Sequence, residues 1–173
     1  SKQIYDDSIV QRLSQILSET GLNARFLELE ITERILIKDI DITKEILQNI
    51  KQLGIKIAID DFGTGYSSIY YLKQLPINKI KLPMEFVHGI GKNAKDESII
   101  SVILGLADSL GVEVIAEGVE TKKQLAFLNR NLCSGIQGYY FSRPLKASMI
   151  KDYCMSNFKE TANISDYRAA CQL

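Results

Sequence analysis

Apolar residues recur along this chain with two periods, one near two and one near 3.6, and the two patterns take turns. Phe26-Leu-Glu28-Leu-Glu30-Ile31 alternates polar and apolar residues and predicts a first strand, followed by Thr32-Glu33. Ile55-Lys-Ile-Ala-Ile suits a second, buried strand that stops at Asp60-Asp61. Lys79-Ile-Lys81-Leu82 predicts a short third strand, and Val112-Glu-Val-Ile-Ala116 a fourth that runs into Glu117-Gly118-Val-Glu120-Thr121. The aromatic run Ile136-Gln137-Gly-Tyr-Tyr-Phe141 predicts a fifth.

Helical patterns lie around and between these strands. Asp7-Ser8 precede Ile9, Leu13, Ile16 and Leu17 on one face, and Gly21 ends that segment. Ile42, Ile46, Ile50 and Leu53 are expected inward on the next helix, with Gly54 as its stop. Ile69, Leu72 and Leu75 predict a short helix closed before Pro76. Asp96 opens the strongest pattern, with Ile99, Ile100, Ile103, Leu106, Ala107 and Leu110 buried and Gly111 at its end. Thr121 caps another helix carrying Leu125, Leu128 and Leu132, and Pro144-Leu145 lead into a last one around Met149, Ile150 and Tyr153. From about Asn157 the chain is polar with weak periodicity, so the expected layout is a domain over residues 1–156 and a tail or extra helix over 157–173.

Strand-helix alternation argues for an α/β fold with about five parallel strands joined by right-handed crossovers. Five strands do not close an eight-stranded barrel. An open doubly wound sheet and part of a (β/α)8 TIM-type barrel both fit the pattern. Each predicted strand delivers a polar group near its carboxyl end, which is where such barrels gather catalytic groups. The pair Asp60-Asp61 stands out among them. Two adjacent carboxylates at the mouth of an apolar strand repel each other and resist burial, so they call for a divalent cation or several hydrogen-bond donors. Oxygen ligands suit Mg²⁺, Mn²⁺ or Ca²⁺. The alternative is structural: Asp61 caps the next helix while Asp60 accepts backbone N–H groups. Glu33 and Glu120 also fit as caps, Gln137 as a partner for strand backbone and Lys81 as a rim charge.

Composition narrows the field. The 173 residues are 46% apolar and 24% charged, enough for one domain with a real core. Lys plus Arg and Asp plus Glu balance at 21 each, so no net field points to a nucleic-acid polymer or an acidic membrane. Cys133, Cys154 and Cys171 are odd in number and lack metal-type spacing, which fits a reduced, cytoplasmic setting. A single histidine, His88, expected in a polar loop, argues against a zinc hydrolase. No apolar run is long enough to cross a bilayer, so no membrane contact is expected from this segment.

Four longer motifs carry a resemblance. Leu29-Glu30-Ile-Thr-Glu33, Asp60-Asp61-Phe-Gly-Thr-Gly-Tyr-Ser-Ser68, Ala116-Glu117-Gly-Val-Glu120-Thr121 and Gln137-Gly-Tyr-Tyr-Phe-Ser-Arg-Pro144 resemble, in order, those of the EAL family. These are bacterial signalling phosphodiesterases on a modified (β/α)8 barrel, which open one bond of cyclic-di-GMP to give linear pGpG with Mg²⁺ or Mn²⁺. By motif, the resemblance implies that Glu30 and Asp60 ligate one metal ion, and that Asp60 bridges to a second held with Asp61 and Glu117. It implies that Lys81 holds or polarises the attacking water, that Gln137 lies near water or ligand, and that Glu120 stands behind the ligands. Glu33 is implied to tie down the loop from Gly63 to Ser68, read here as a mobile lid or a dimer-facing loop.

Two departures modify the expectation. The family's Glu-x-Leu and Asn-x-Ser segments lie upstream of Ser1 in the family pattern, so the chain is expected to hold the C-terminal portion of the domain. Metal binding would then be weak or absent, and the isolated chain inactive. The family's Lys-x-Asp reads Lys81-Leu82-Pro83 here, which removes a carboxylate and a backbone N–H. A degenerate module that binds cyclic-di-GMP or a protein without hydrolysis is therefore the alternative reading. An opened barrel also exposes a sheet edge, so a homodimer through that edge or through the Gly63–Ser68 region is expected.

Overall fold

A computed structural model describes residues 3–6, 8–36, 39–65 and 69–157. Five strands alternate with helices: β1 (Glu28–Thr32), β2 (Lys56–Asp60), β3 (Lys79–Leu82), β4 (Glu113–Ala116) and β5 (Gly135–Ile136). The helices are α1 (Ile9–Thr20), α2 (Glu33–Leu36), α3 (Ile40–Gln52), α4 (Ile69–Leu72), α5 (Met84–Gly89), α6 (Ala94–Leu110), α7 (Lys122–Arg130) and α8 (Ala147–Asn157). The chain forms two compact units. The first comprises Ser1–Leu82 with Leu106–Glu113, the second Pro83–Gly105 with Val114–Leu173.

In the first unit β1, β2 and β3 are parallel, with Glu30 opposite Ala58, Thr32 opposite Asp60 and Ala58 opposite Lys79. Asn78 extends the β2–β3 ladder, because its backbone N–H donates to Ile57 O at 2.9 Å and its side-chain Oδ1 accepts the Ile57 N–H at 3.1 Å. Ile57, Ala58 and Ile59 are all fully buried, as a parallel strand covered on both faces requires. Leu47 and Ile50 of α3 supply fully buried packing in the same unit.

The expected α3 face is rotated. Thr43, Leu47 and Ile50 are buried, whereas Ile42 is half exposed. The Thr43 hydroxyl explains part of this, since it is hydrogen-bonded to Tyr5 Oη at 3.2 Å and so enters the interior without an unpaired polar group. On α6 the buried set is Ile100, Ile103, Leu104 and Ala107, while Ile99 points outward. On α4 it is Ile69 that is exposed.

In the second unit β4 and β5 pair in parallel, with Ile115 opposite Gly135 and Ala116 opposite Ile136. The fifth strand is two residues long instead of six. After Ile136 the chain turns, with Tyr140 N–H donating to Val119 O and Phe141 N–H to Gly138 O, so the aromatic run leaves the ladder. Thr121 caps α7 as expected, and Gln124 completes a capping box whose side chain also donates to Val87 O at 3.2 Å. Leu132 lies past the end of α7 with φ 59° and is 88% exposed, so it does not continue the apolar face. His88 belongs to α5 and not to a loop. Pro83, with φ −66°, presets the start of that helix. The expected tail beyond Asn157, including Cys171, lies outside the described residues.

Cys133 sits below the β4–β5 pair, its thiol donating to Gly135 O at 3.2 Å and contacting Val114 O at 3.5 Å. Burial pushes this thiol up to about 11. An unfolded thiol ionises nearer 8.5 to 9, so above that pH the unfolded chain releases a proton that the folded chain keeps. Stability is therefore expected to fall as pH rises from about 9 to about 11, by roughly 2–3 kcal/mol from this group. Urea denaturation across that range should show the loss in the native chain and a flatter profile in Cys133→Ala.

Candidate active site

The first unit brings three of the expected side chains into contact. Asp60 is the last residue of β2, Lys81 the third of β3 and Glu30 the third of β1. Because the strands are parallel and in register, all three project from one face toward the carboxyl ends. Lys81 Nζ stands 2.8 Å from Glu30 Oε1 and 3.2 Å from Asp60 Oδ1. The lysine side chain is only 12% exposed, against 48% for Glu30 and 27% for Asp60. An ammonium so nearly enclosed requires negative neighbours, and two carboxylates so close require a cation between them. With two negative groups and one positive, the cluster keeps a formal charge of −1.

Asp61 follows at once and is exposed, with φ 54°. This is the left-handed region, which Asp tolerates better than most residues. The turn lets Phe62 N–H donate to Lys81 O at 3.2 Å and buries the Phe62 ring. Glu33 is 96% buried in effect, with only 4% of its surface exposed, and its Oε2 accepts the Gly63 N–H at 3.0 Å. Its Oε1 is buried without a hydrogen-bond partner among the described residues. A Cβ at Gly65 would lie 3.1 Å from that same oxygen, so the glycine permits the loop to pass close to the carboxylate. Residues 66–68 of the motif lie outside the described residues.

Glu117, Glu120 and Gln137 belong to the second unit. Gln137 N–H donates to Ala116 O at 2.8 Å and Gln137 O accepts from Val119 N–H at 3.1 Å, while the side chain is exposed. Glu117 follows the last residue of β4 and is half-buried. The Glu120 side chain is exposed, and its backbone N–H donates to Gln124 Oε1 at 2.8 Å.

The donors at the first unit's cluster are all oxygens, which suits a hard divalent cation in kind. In number they fall short of a cage: among the described residues, no three His, Cys, Asp or Glu side chains close on one point. Glu28 and Lys79 were not singled out by the sequence pattern, yet they form a 2.6 Å ion pair with Lys79 only 2% exposed. The signal was present in the spacing, since Glu28 is two residues from Glu30 and Lys79 two from Lys81, which puts each pair on one face of its strand.

Parallel strands alternating with helices, with a carboxylate–lysine cluster at the strands' carboxyl ends, define an α/β protein. The EAL domain family model matches residues 1–144, and the chain belongs to that family. It is 44% identical over 146 residues to the cyclic di-GMP phosphodiesterase NbdA of Pseudomonas aeruginosa, a match covering 84% of this chain and 19% of that protein. The chain thus spans about a fifth of the length of that curated relative. Among solved structures, the PaMucR phosphodiesterase in complex with c-di-GMP superposes with a TM-score of 0.82 at 36% identity, covering 86% of this chain and 60% of that one. A manganese/cy-diGMP complex of Klebsiella pneumoniae BlrP1 superposes with a TM-score of 0.75 at 33% identity, covering 82% and 36%.

Glu33 offers a direct measurement. Replacing it with Ala removes the acceptor for the N–H of the exposed Gly63 and leaves that amide to water. Amide hydrogen exchange at Gly63 should accelerate in Glu33→Ala, while amides of Ile57 and Ile59 in β2 keep their protection.

Proposed function

We propose that the protein containing this chain hydrolyses cyclic-di-GMP to linear pGpG, and that the first unit supplies the Glu30, Asp60 and Lys81 part of its active site. The observation that carries this reading is the convergence of both carboxylates on the Lys81 ammonium at the strands' carboxyl ends. The family, and relatives named as cyclic di-GMP phosphodiesterases, support it.

Hydrolysis of the diester requires water to attack phosphorus while one P–O bond breaks and the departing ribose oxygen gains a proton. Negative charge grows on the phosphoryl oxygens along the way. Lys81 offers N–H donors to that charge or to the attacking water, and Glu30 and Asp60 hold its ammonium in place. Glu30, Asp60 and Asp61 are the first unit's candidates to hold Mg²⁺ or Mn²⁺, two ions in the whole domain. When bound, such a cation supplies Lewis acidity and lowers the pKa of water. Glu117, Gln137 and Glu120 enter the proposal through their motifs alone. Glu33 serves by anchoring the loop that follows Asp61.

A second reading rests on Pro83. It begins α5 with no N–H to donate and no side-chain cap, where the family pattern has an aspartate. A module that binds cyclic-di-GMP without turnover is consistent with that loss. We place the domain in the bacterial cytoplasm, where its nucleotide ligand and the free thiols of Cys133 and Cys154 are compatible. A second copy of the chain is the expected protein partner. Ile69 and Tyr70, exposed beside residues 63–68, offer one surface, and the sheet edge offers another.

The test uses the protein extended with its native upstream residues, assayed for pGpG with Mn²⁺. Hydrolysis is expected, with Glu30→Ala and Lys81→Ala each lowering turnover by roughly 10²–10³-fold. Unchanged turnover in Glu30→Ala would remove the assigned site. Binding without turnover, followed by rescue in Pro83→Asp, would establish the receptor reading instead.

A further inference from the structure

The turn that joins β4 to α7, Glu117-Gly118-Val119-Glu120, is held from two sides within the second unit. On one side it hangs on the chain around β5. Ala116 O accepts the Gln137 N–H at 2.8 Å, Val119 N–H donates to Gln137 O at 3.1 Å, and Val119 O accepts the Tyr140 N–H at 2.9 Å. On the other side it rests on α5. Gly118 has φ 71°, and a Cβ there would lie 2.6 Å from Met84 Cβ and 3.6 Å from His88 Nε2. Glycine is what lets the turn approach the helix this closely.

One side chain links the turn to that helix. Gln124 is 5% exposed, and its Oε1 accepts the N–H groups of both Glu120 and Thr121 at 2.8 Å. Its Nε2 donates to Val87 O of α5 at 3.2 Å. Two backbone donors at one end and a carbonyl at the other leave a single orientation for the amide. At this position of a capping box either glutamate or glutamine serves. Here a carboxylate would keep the two N–H partners but set its second oxygen against the Val87 carbonyl, in a site nearly closed to water. Val87 O also accepts the Ile90 N–H at 3.2 Å, so it keeps a partner when the amide is lost. What is lost is the link between helix and turn. The need for an amide is therefore set by α5 and not by the start of α7.

We propose that Gln124 is a positioning residue: its carboxamide ties the turn to α5 and so holds Glu117 for the divalent cation that its motif implies. The cation half of this statement rests on the function proposed above, and the positional half does not.

The experiment compares the 173-residue chain with Gln124→Glu, Gln124→Met and Thr121→Ala. The last removes the hydroxyl that caps the Gln124 N–H and leaves the amide side chain in place. Two readouts are taken: the side-chain carboxylate resonance of Glu117 without metal, and Mn²⁺ affinity by calorimetry. In Gln124→Glu and Gln124→Met the Glu117 resonance should move. Mn²⁺ should bind about tenfold more weakly, the low end for groups that orient a ligand without touching the ion. For Gln124→Glu this is opposite to the effect of the added negative charge alone, which would attract the cation. Thr121→Ala should lower the melting temperature and leave both readouts near their native values. If Gln124 merely caps α7, Gln124→Glu will leave the Glu117 resonance in place and Mn²⁺ binding unchanged or tighter, which would overturn the proposal. So would a Thr121→Ala variant that moves the Glu117 resonance as far as Gln124→Met does, because the turn then answers to the stability of α7 in general. Should the native chain bind no Mn²⁺, the cation reading of Glu117 fails, and its resonance still decides whether Gln124 positions it.

Discussion

The ammonium of Lys81, shared between carboxylates from two other strands, is the contact on which the first unit's charged cluster depends. Glu30 and Asp60 would repel each other at the ends of neighbouring parallel strands, and both would resist losing water. Lys81 makes their approach favourable and in return is held away from solvent on a side chain with four rotatable bonds. The register of β1, β2 and β3 makes this meeting possible, since a slip of one residue in any one strand would turn its side chain to the opposite face.

Much of this was legible in the sequence because strand polarity and side-chain alternation are local properties. Four of five strands fall within two residues of their expected bounds, and β3 matches residue for residue. The fifth strand is shorter than its aromatic run predicts. Tyr139, Tyr140 and Phe141 carry high strand propensity, but Gly138 passes so close to the Val119 backbone that no side chain would fit there, and the chain turns. The helix faces were legible only approximately. Ile42 and Ile99 lie near the edge of an apolar stripe, where a small rotation about the helix axis decides which residue faces inward, and Thr43 gained entry by hydrogen bonding to Tyr5.

The functional positions divide along the same line. Glu30, Asp60 and Lys81 could be named from strand ends, yet their contact required knowing which strands are neighbours and in what register. The Glu28–Lys79 pair required the same knowledge of neighbours and register. The polar neighbourhood of His88 resembles a loop, whereas Pro83 at the N-cap, with its preset φ, marks the start of a helix there.

The backbone at Asp61 bears on how substitutions there can be interpreted. Its φ of 54° is open to asparagine and glycine but strained for alanine and more so for β-branched residues. An alanine at this position would change two things together, the carboxylate and the path of the chain between β2 and Gly63. Only a replacement that shares the left-handed preference separates them. Asparagine reports on charge and glycine on the whole side chain, so a conventional alanine scan would credit the aspartate with energy that belongs to the turn.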